Sequence, residues 1–341
     1  MRDLVHTLCS DRLAGRAAGT EGGRLARLVV RDALRDAGLD PQEQALPRIG
    51  GGNVLAAVPG DVDRHVLLAA HFDHLGRTPL GIYRGADDNA AAVAVVVEVA
   101  RALAARPPEG RGVLVAAFDA EEPPHFDTGS MGSNHFVAHP TVPLDRIDLM
   151  VCLELVGHAL GRPEFPVEVQ QSVFLLGAER SEGTPERLLA LPPEPGLVVR
   201  PLDAEVIPPL SDYLGFWARR RPFVLLTGGR SRRYHTVDDT PEHLDWRRIE
   251  ATARWLERLV RDQCRRPEAP FVFRNGRDDL STLESLRAVL EPLGSVSDAA
   301  RLGLDAVGAL RAKIGRDRRL PDGAAMELLS LVGAVESGLA G

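Results

Sequence analysis

The chain has 341 residues, with 41 Lys and Arg against 48 Asp and Glu, for a formal charge of −7. A hydrophobic share of 44% with 26% charged residues excludes a wholly disordered chain, and the acidic balance argues against a nucleic-acid polyanion as the main partner. No run approaches the roughly 18 apolar residues of a membrane span, and three separated cysteines, Cys9, Cys152 and Cys264, make neither a disulfide framework nor a zinc knuckle.

The first predicted element is a helix over 22–38, where Leu25, Leu28, Val29 and Leu34 recur at helical spacing before Gly38. Two short strands follow, Asn53–Val58 and His65–Ala70, separated by the turn-rich PGDVD. The alanine-rich run Ala90–Ala105 is helical by composition and length. Gly112–Phe118 lacks alternation and reads as a strand covered on both faces. Further strands are expected at Ile147–Leu155, Val167–Leu175 and Pro222–Leu226, and a helix at Glu242–Asp262. After about residue 270 three helical patterns appear, at 280–291, 297–315 and 323–339. Strands alternating with long helices predict an α/β fold: a mixed, mostly parallel central sheet with helices on both faces, plus a C-terminal all-helical extension. The division expected is a catalytic domain at 1–270 and the extension at 271–341, the latter covering the domain or mediating self-association into a homo-oligomer.

In such sheets, functional residues gather beyond the carboxyl ends of the strands. The candidates all lie at such places. His71-Phe-Asp73-His74 follows a strand, and alternation sends His71 and Asp73 to one side, as suits a metal-binding imidazole and its orienting carboxylate. Asp87-Asp88 precedes the alanine-rich helix; one aspartate suffices as a cap, which leaves the other free. Glu121-Glu122 follows a buried strand, where two adjacent carboxylates repel unless a cation or a division of labour separates them. Glu154 sits inside an apolar strand pattern, so it must be paired or bind metal. Tyr234-His235 adds a second histidine, with Asp238 and Asp239 close behind. Oxygen and nitrogen ligands without thiolate suit zinc or manganese in a hydrolytic site. His6, His65, His139, His158 and His243 read as surface or helix-end residues.

The segments GRAAGTEGG, NVLAAVPG, HFDHLG, GADDNAAAVAVVVEVARAL, FDAEE, GSMGSNHF, LELVG, SDYLGFWARRRPFVLLTGG and YHTVDDT, in this order over roughly residues 10–262, resemble the M28 family of two-metal zinc aminopeptidases. The resemblance implies that His71 and Glu154 hold one divalent ion, most simply Zn2+, and Glu122 and His235 another, with Asp88 bridging. It further implies Glu121 as general base, Asp73 and Asp239 as partners orienting the two histidines, and Tyr234 as a hydrogen-bond donor to the oxyanion. The substrate implied is a peptide with a free N-terminus; no membrane or nucleic-acid partner is implied. Three departures stand out. Glu154 occupies a position where most relatives have aspartate, Tyr213 follows Ser211-Asp212 where a histidine is often seen, and residues 123–128 lengthen a loop beside the site. Glutaminyl-cyclase-like acyl transfer with a single zinc, carboxypeptidase action, and a catalytically silent binding protein are the alternatives. Without an apolar leader at its start, the chain is expected in the cytoplasm, or secreted if a leader is missing.

Overall fold

The computed structural model describes residues 1–340. In chain order, helix α1 (Arg2–Leu8) and helix α2 (Glu21–Asp36) precede three strands: β1 (Gln42–Leu46), β2 (Gly51–Val58) and β3 (Val62–His71). The small hairpin β4–β5 (Gly76–Thr78, Gly81–Tyr83) leads to helix α3 (Ala91–Ala105), strand β6 (Arg111–Phe118), helix α4 (Gly132–Ala138) and strand β7 (Ile147–Glu154). Then come the single turn α5 (Val167–Gln170), strand β8 (Ser172–Leu176), helix α6 (Thr184–Ala190), strand β9 (Val198–Leu202), helix α7 (Leu214–Ala218), strand β10 (Phe223–Thr227) and helix α8 (Trp246–Cys264). Three helices end the chain: α9 (Asp279–Leu293), α10 (Asp298–Arg311) and α11 (Asp322–Leu339).

Eight strands form one mixed sheet in the order β1-β2-β6-β3-β7-β10-β8-β9, and β6, β3, β7 and β10 run parallel at its centre. Period-two alternation divides each central strand between two apolar layers. Val66, Leu68 and Ala70 of β3 face one layer with α1, α2, α3 and α8, whereas Leu67 and Ala69 face the other. Strand β6 does the same with Val113, Val115 and Ala117 on one side and Leu114, Ala116 and Phe118 on the other. Helix α3 is buried along most of its length, and its alanines let it lie close against the sheet beneath α8.

The C-terminal helices bury their stripes on the second face. Leu283, Leu286, Val289, Leu290 and Leu293 of α9 share a cluster with Phe216, Phe223 and Leu225. Polar joints add to this: Ser285 donates to the Pro201 carbonyl at 2.6 Å, and Thr282 accepts from the Asp203 amide at 2.9 Å. These helices are continuous with the core of the sheet. No helix among the described residues is long and apolar enough to cross a membrane.

The structure corrects some expected elements. The strand expected over Val167–Leu175 splits into the turn α5 and strand β8, because the chain leaves Pro166 into a helical turn with Gln170 and Gln171 amides on the Pro166 and Val167 carbonyls. The helix expected from Glu242 starts at Trp246, where the Asp245 carboxylate caps the amides of Arg247 and Arg248. Strands β1 and β9 and helix α1 had no counterpart in the sequence reading.

Candidate active site

Parallel pairing puts the ends of β6, β3, β7 and β10 at one edge: His71 lies level with Phe118, and Thr227 with Glu154. His71 ends β3, Glu121 and Glu122 follow β6, Glu154 ends β7, and the loop after β10 carries Tyr234 and His235. Asp88 comes from the irregular segment Ala86–Ala90 that opens α3, where Asp88 and Asn89 leave helical geometry. Asn89 ties that segment to β7, donating to the Leu153 carbonyl at 3.0 Å and accepting from the Leu155 amide at 3.3 Å.

These side chains converge on Asp88. His71 Nε2 lies 3.4 Å from Asp88 Oδ1, and His235 Nε2 lies 3.2 Å from Asp88 Oδ2 and 3.1 Å from Glu122 Oε2. Two groups of side chains have ligand atoms close enough together to hold a cation: His71, Asp88 and Glu154, and His74, Asp88 and Glu122. Asp88 belongs to both. Glu121 Oε2 stands 3.9 Å from His71 Nε2, and the Tyr234 ring stacks on His235 with centroids 3.8 Å apart.

Two carboxylates hold this arrangement from behind, each by gripping two consecutive amides. Asp73 accepts from the Glu121 amide at 3.0 Å and the Glu122 amide at 3.2 Å, while its Oδ1 also lies 3.6 Å from His71 Nδ1. Asp239 accepts from the Asp87 amide at 2.9 Å and the Asp88 amide at 3.0 Å. Through these two bonds Asp239 acts on the backbone of the Asp88 segment; among the described residues it makes no ion-pair contact with His235. The amides of a strand-end loop would otherwise be buried donors without partners, so an aspartate serves there at once as acceptor and as tether.

Negative charge is concentrated in the pocket. Asp73, Asp88, Glu121, Glu122, Glu154 and Asp212 are all buried around His71, His74 and the half-buried His235. Burial, reinforced by Asp88, pushes Glu154 up to about 8 despite the attraction of His71. Burial likewise raises Glu121 well above the usual carboxylate range, with Glu154 and Glu122 adding to it. Burial alone would lower His235, yet Asp88 and Glu122 drive it up to about 10. Glu121, Glu154 and His235 all shift toward holding protons, whereas Asp88, despite its burial, is held well below the usual carboxylate range by His235 and His71; carboxylates crowded out of water around two histidines give that split. Moreover, His71 Nε2, His235 Nε2, Asp88 Oδ2 and Glu154 Oε2 have no hydrogen-bond partner although buried. Unpartnered imidazole nitrogens and carboxylate oxygens facing one another offer the donor set of a divalent cation.

Several contributors escaped the sequence reading. His74 is fully buried, with Nδ1 2.7 Å from Glu122 Oε1. His158, expected at the surface, is buried with Nδ1 2.6 Å from Asp87 Oδ2, and Asp87 also accepts from the Gly157 amide at 2.7 Å. Asp87 is therefore a loop tether, and the polar identity of its partner gave no hint of burial. Arg16, inside the GRAAGTEGG segment, is wholly buried and donates to the carbonyls of Phe72, Leu8, Arg84 and Gly85. Helix α11 reaches the His235 loop: Arg230 forms a two-pronged pair with Glu336 at 2.8 Å, and the Arg232 amide donates to the Ala340 carbonyl at 2.9 Å. Tyr213 is core, stacked on Phe223 with centroids 4.7 Å apart.

A model of peptidase family M28 matches residues 53–260, more than half of the sequence. The chain belongs to peptidase family M28. On that ground this M28 chain is a peptidase. It is similar to the uncharacterized protein YfbL of Escherichia coli (strain K12), at 26% identity over 243 residues, 64% of this chain and 74% of that protein. Its fold resembles the LapA aminopeptidase of Legionella pneumophila, with TM-score 0.64 at 14% identity, covering 79% of this chain and 73% of that one. It also resembles glutaminyl cyclase from Porphyromonas gingivalis (TM-score 0.58, 20% identity, 77% and 98% covered). A third likeness is to a Zn-dependent exopeptidase from Parabacteroides distasonis ATCC 8503 (TM-score 0.57, 19% identity, 76% and 97% covered). The matched residues include every candidate ligand named above.

Proposed function

We propose that this M28 chain is a two-metal aminopeptidase that removes N-terminal residues from peptides. One observation carries the reading: a single buried carboxylate, Asp88, faces His71 and Glu154 on one side and, 3.2 Å from His235 Nε2, which is itself 3.1 Å from Glu122 Oε2, a second set of potential ligands on the other. His71 and Glu154 would hold one ion, Glu122 and His235 the other, and Asp88 both, with zinc favoured by the nitrogen and oxygen donors. Such an ion pair, when bound, lowers the pKa of water and polarises the scissile carbonyl.

The chain's own residues do the rest. Glu121 Oε2, beside His71 and buried, takes a proton from the attacking water and returns it to the leaving amine; its raised proton affinity suits that exchange. The Tyr234 hydroxyl donates to the carbonyl oxygen as charge develops there. Burial and the nearby Asp88, Glu154, Glu122 and Glu121 raise the phenol's pKa, so it remains a donor across the working range. Asp73 and Asp239 keep the carboxylates in place through the amides they grip.

Acyl transfer of the glutaminyl-cyclase kind is the competing reading, given the fold likeness. The group His71, Asp88 and Glu154 would be superfluous in a site built for one ion, which favours the aminopeptidase. The test is a panel of aminoacyl amides, N-acetylated controls and an N-terminal glutamine peptide. Release of the N-terminal residue from unblocked substrates only, abolished by chelator and restored by metal, supports the proposal. Pyroglutamate formation without hydrolysis contradicts it. Residues 1–270 serve in this reading as the catalytic unit and 271–341 as its cover. Self-association through α10 and α11 would use what they leave exposed, Leu302 and Met326. A cytoplasmic location belongs to the same proposal and is read by cell fractionation.

A further inference from the structure

His74 belongs to a potential metal group, yet its distances set it apart from the other members. Two atoms bound to one zinc at about 2.0–2.1 Å in tetrahedral geometry stand about 3.3 Å from each other. His235 Nε2 meets that spacing, at 3.2 Å from Asp88 Oδ2 and 3.1 Å from Glu122 Oε2. His74 Nδ1 does not: it lies 3.8 Å from Asp88 Oδ2 and only 2.7 Å from Glu122 Oε1. The last distance is that of a charge-assisted hydrogen bond, with the imidazole donating and the carboxylate accepting. The two histidines thus divide Glu122 between them, His74 on Oε1 and His235 on Oε2.

The fold gives His74 a fixed seat. Its backbone continues from β3, and its ring packs directly on Gly85, where a Cβ would come within 2.6 Å of Cγ and Cδ2. Gly85 also has φ 56°, so a side chain there meets both a strained backbone and this ring. The ring is buried and edge-on to His235 at 5.8 Å between centroids.

We propose that His74 is a positioning residue: its Nδ1–H holds Glu122 Oε1, so that Oε2 alone is turned, with His235 Nε2 and Asp88 Oδ2, toward the second metal. This inference rests on the two-metal reading above. Partners of this kind fix ligand orientation, and their loss typically weakens metal affinity about 10- to 100-fold. It also keeps Glu122 to one oxygen per ion, leaving coordination room for substrate.

The experiment titrates metal-free protein with Zn2+ against a chromogenic chelator, and with Co2+ by visible absorption, for wild type, His74→Leu and His74→Asn. Asparagine can place an amide N–H near the position of Nδ1. The expected result is two sites in wild type, one of them weakened 10- to 100-fold in His74→Leu and largely recovered in His74→Asn. The cobalt bands should keep their positions in His74→Asn. A shift of those bands with loss of one site in both variants would make His74 a ligand and overturn the proposal. Equal affinities in all three proteins would overturn it as well. A wild-type protein that binds no metal would defeat the two-metal reading itself, and the wild-type titration separates that failure from a failure of the His74 assignment.

Discussion

Replacing Arg16 by methionine tests how the site loop is held. The Arg16 guanidinium is wholly buried and, among the described residues, has no carboxylate partner; it is spent on carbonyls. Nε donates to Phe72 at 2.8 Å, Nη1 to Leu8 at 2.9 Å and to Arg84, and Nη2 to Gly85 at 2.9 Å and Asp88 at 3.5 Å. The Gly85 carbonyl keeps the Ala90 amide as a second donor, so it is only partly stranded by the change. The Phe72 and Arg84 carbonyls lose a buried donor, as does Leu8 at the end of α1. Each stranded buried group costs about 1–3 kcal/mol. Three such groups set a range of about 3–9 kcal/mol, and relaxation of the loop toward water brings the expectation to the lower half, about 3–5 kcal/mol. Methionine fills much of the volume, so a cavity adds little. Against a total stability of about 5–15 kcal/mol this is a large loss. Urea denaturation followed by circular dichroism, with Arg16→Lys as the intermediate case, measures it. An Arg16→Met protein within about 1 kcal/mol of wild type would refute the claim that these carbonyls depend on the guanidinium.

Three further outcomes follow from the same geometry. Glu121→Gln should keep its metal but lose kcat by roughly a hundred- to ten-thousand-fold; near-normal turnover in steady-state assays would remove Glu121 from proton transfer. Asp239→Asn replaces one of two acceptors gripping the Asp87 and Asp88 amides by a donor, so metal affinity in a chelator competition should fall about 10- to 100-fold, and an unchanged affinity would count against the tether. Glu179, far from the site, is pushed up to about 8 by burial and by Asp203. Between about 4.5 and that value the folded chain keeps a proton that the unfolded chain has released, so stability is full at the acid end and declines as pH rises through this window. Glu179→Gln should flatten that decline in thermal melts run across pH, and an unaltered slope would show that another group causes it.

Much of the fold was legible because burial on both faces leaves a plain trace: Gly112–Phe118 is apolar without alternation, as is Ile147–Leu155 apart from Asp148 and Glu154, and they are the central strands β6 and β7. The edge strands β1 and β9 were not, since QEQAL and VVRPL mix polar with apolar residues as a half-exposed edge permits. The candidate ligands could be named because each follows or ends a readable strand. What the sequence could not supply was direction. Asp239 directs its oxygens at amides 151 and 152 positions earlier in the chain, a contact that no local pattern encodes. His158 and His74 look like ordinary polar residues at strand ends; only the packing shows that both are buried on carboxylates. Helix α11, with its weak amphipathic pattern, gave no sign that Glu336 reaches Arg230 beside the His235 loop.

Two-metal action by this chain requires Asp88 to serve two ions at once, and counting metal tests that most directly. Protein dialysed against chelator, reloaded with excess Zn2+ and freed of loosely bound metal should carry two ions per chain by elemental analysis, and Asp88→Ala should lose both together with peptidase activity. Full activity in wild type at one ion or none, or two ions retained by Asp88→Ala, would contradict it.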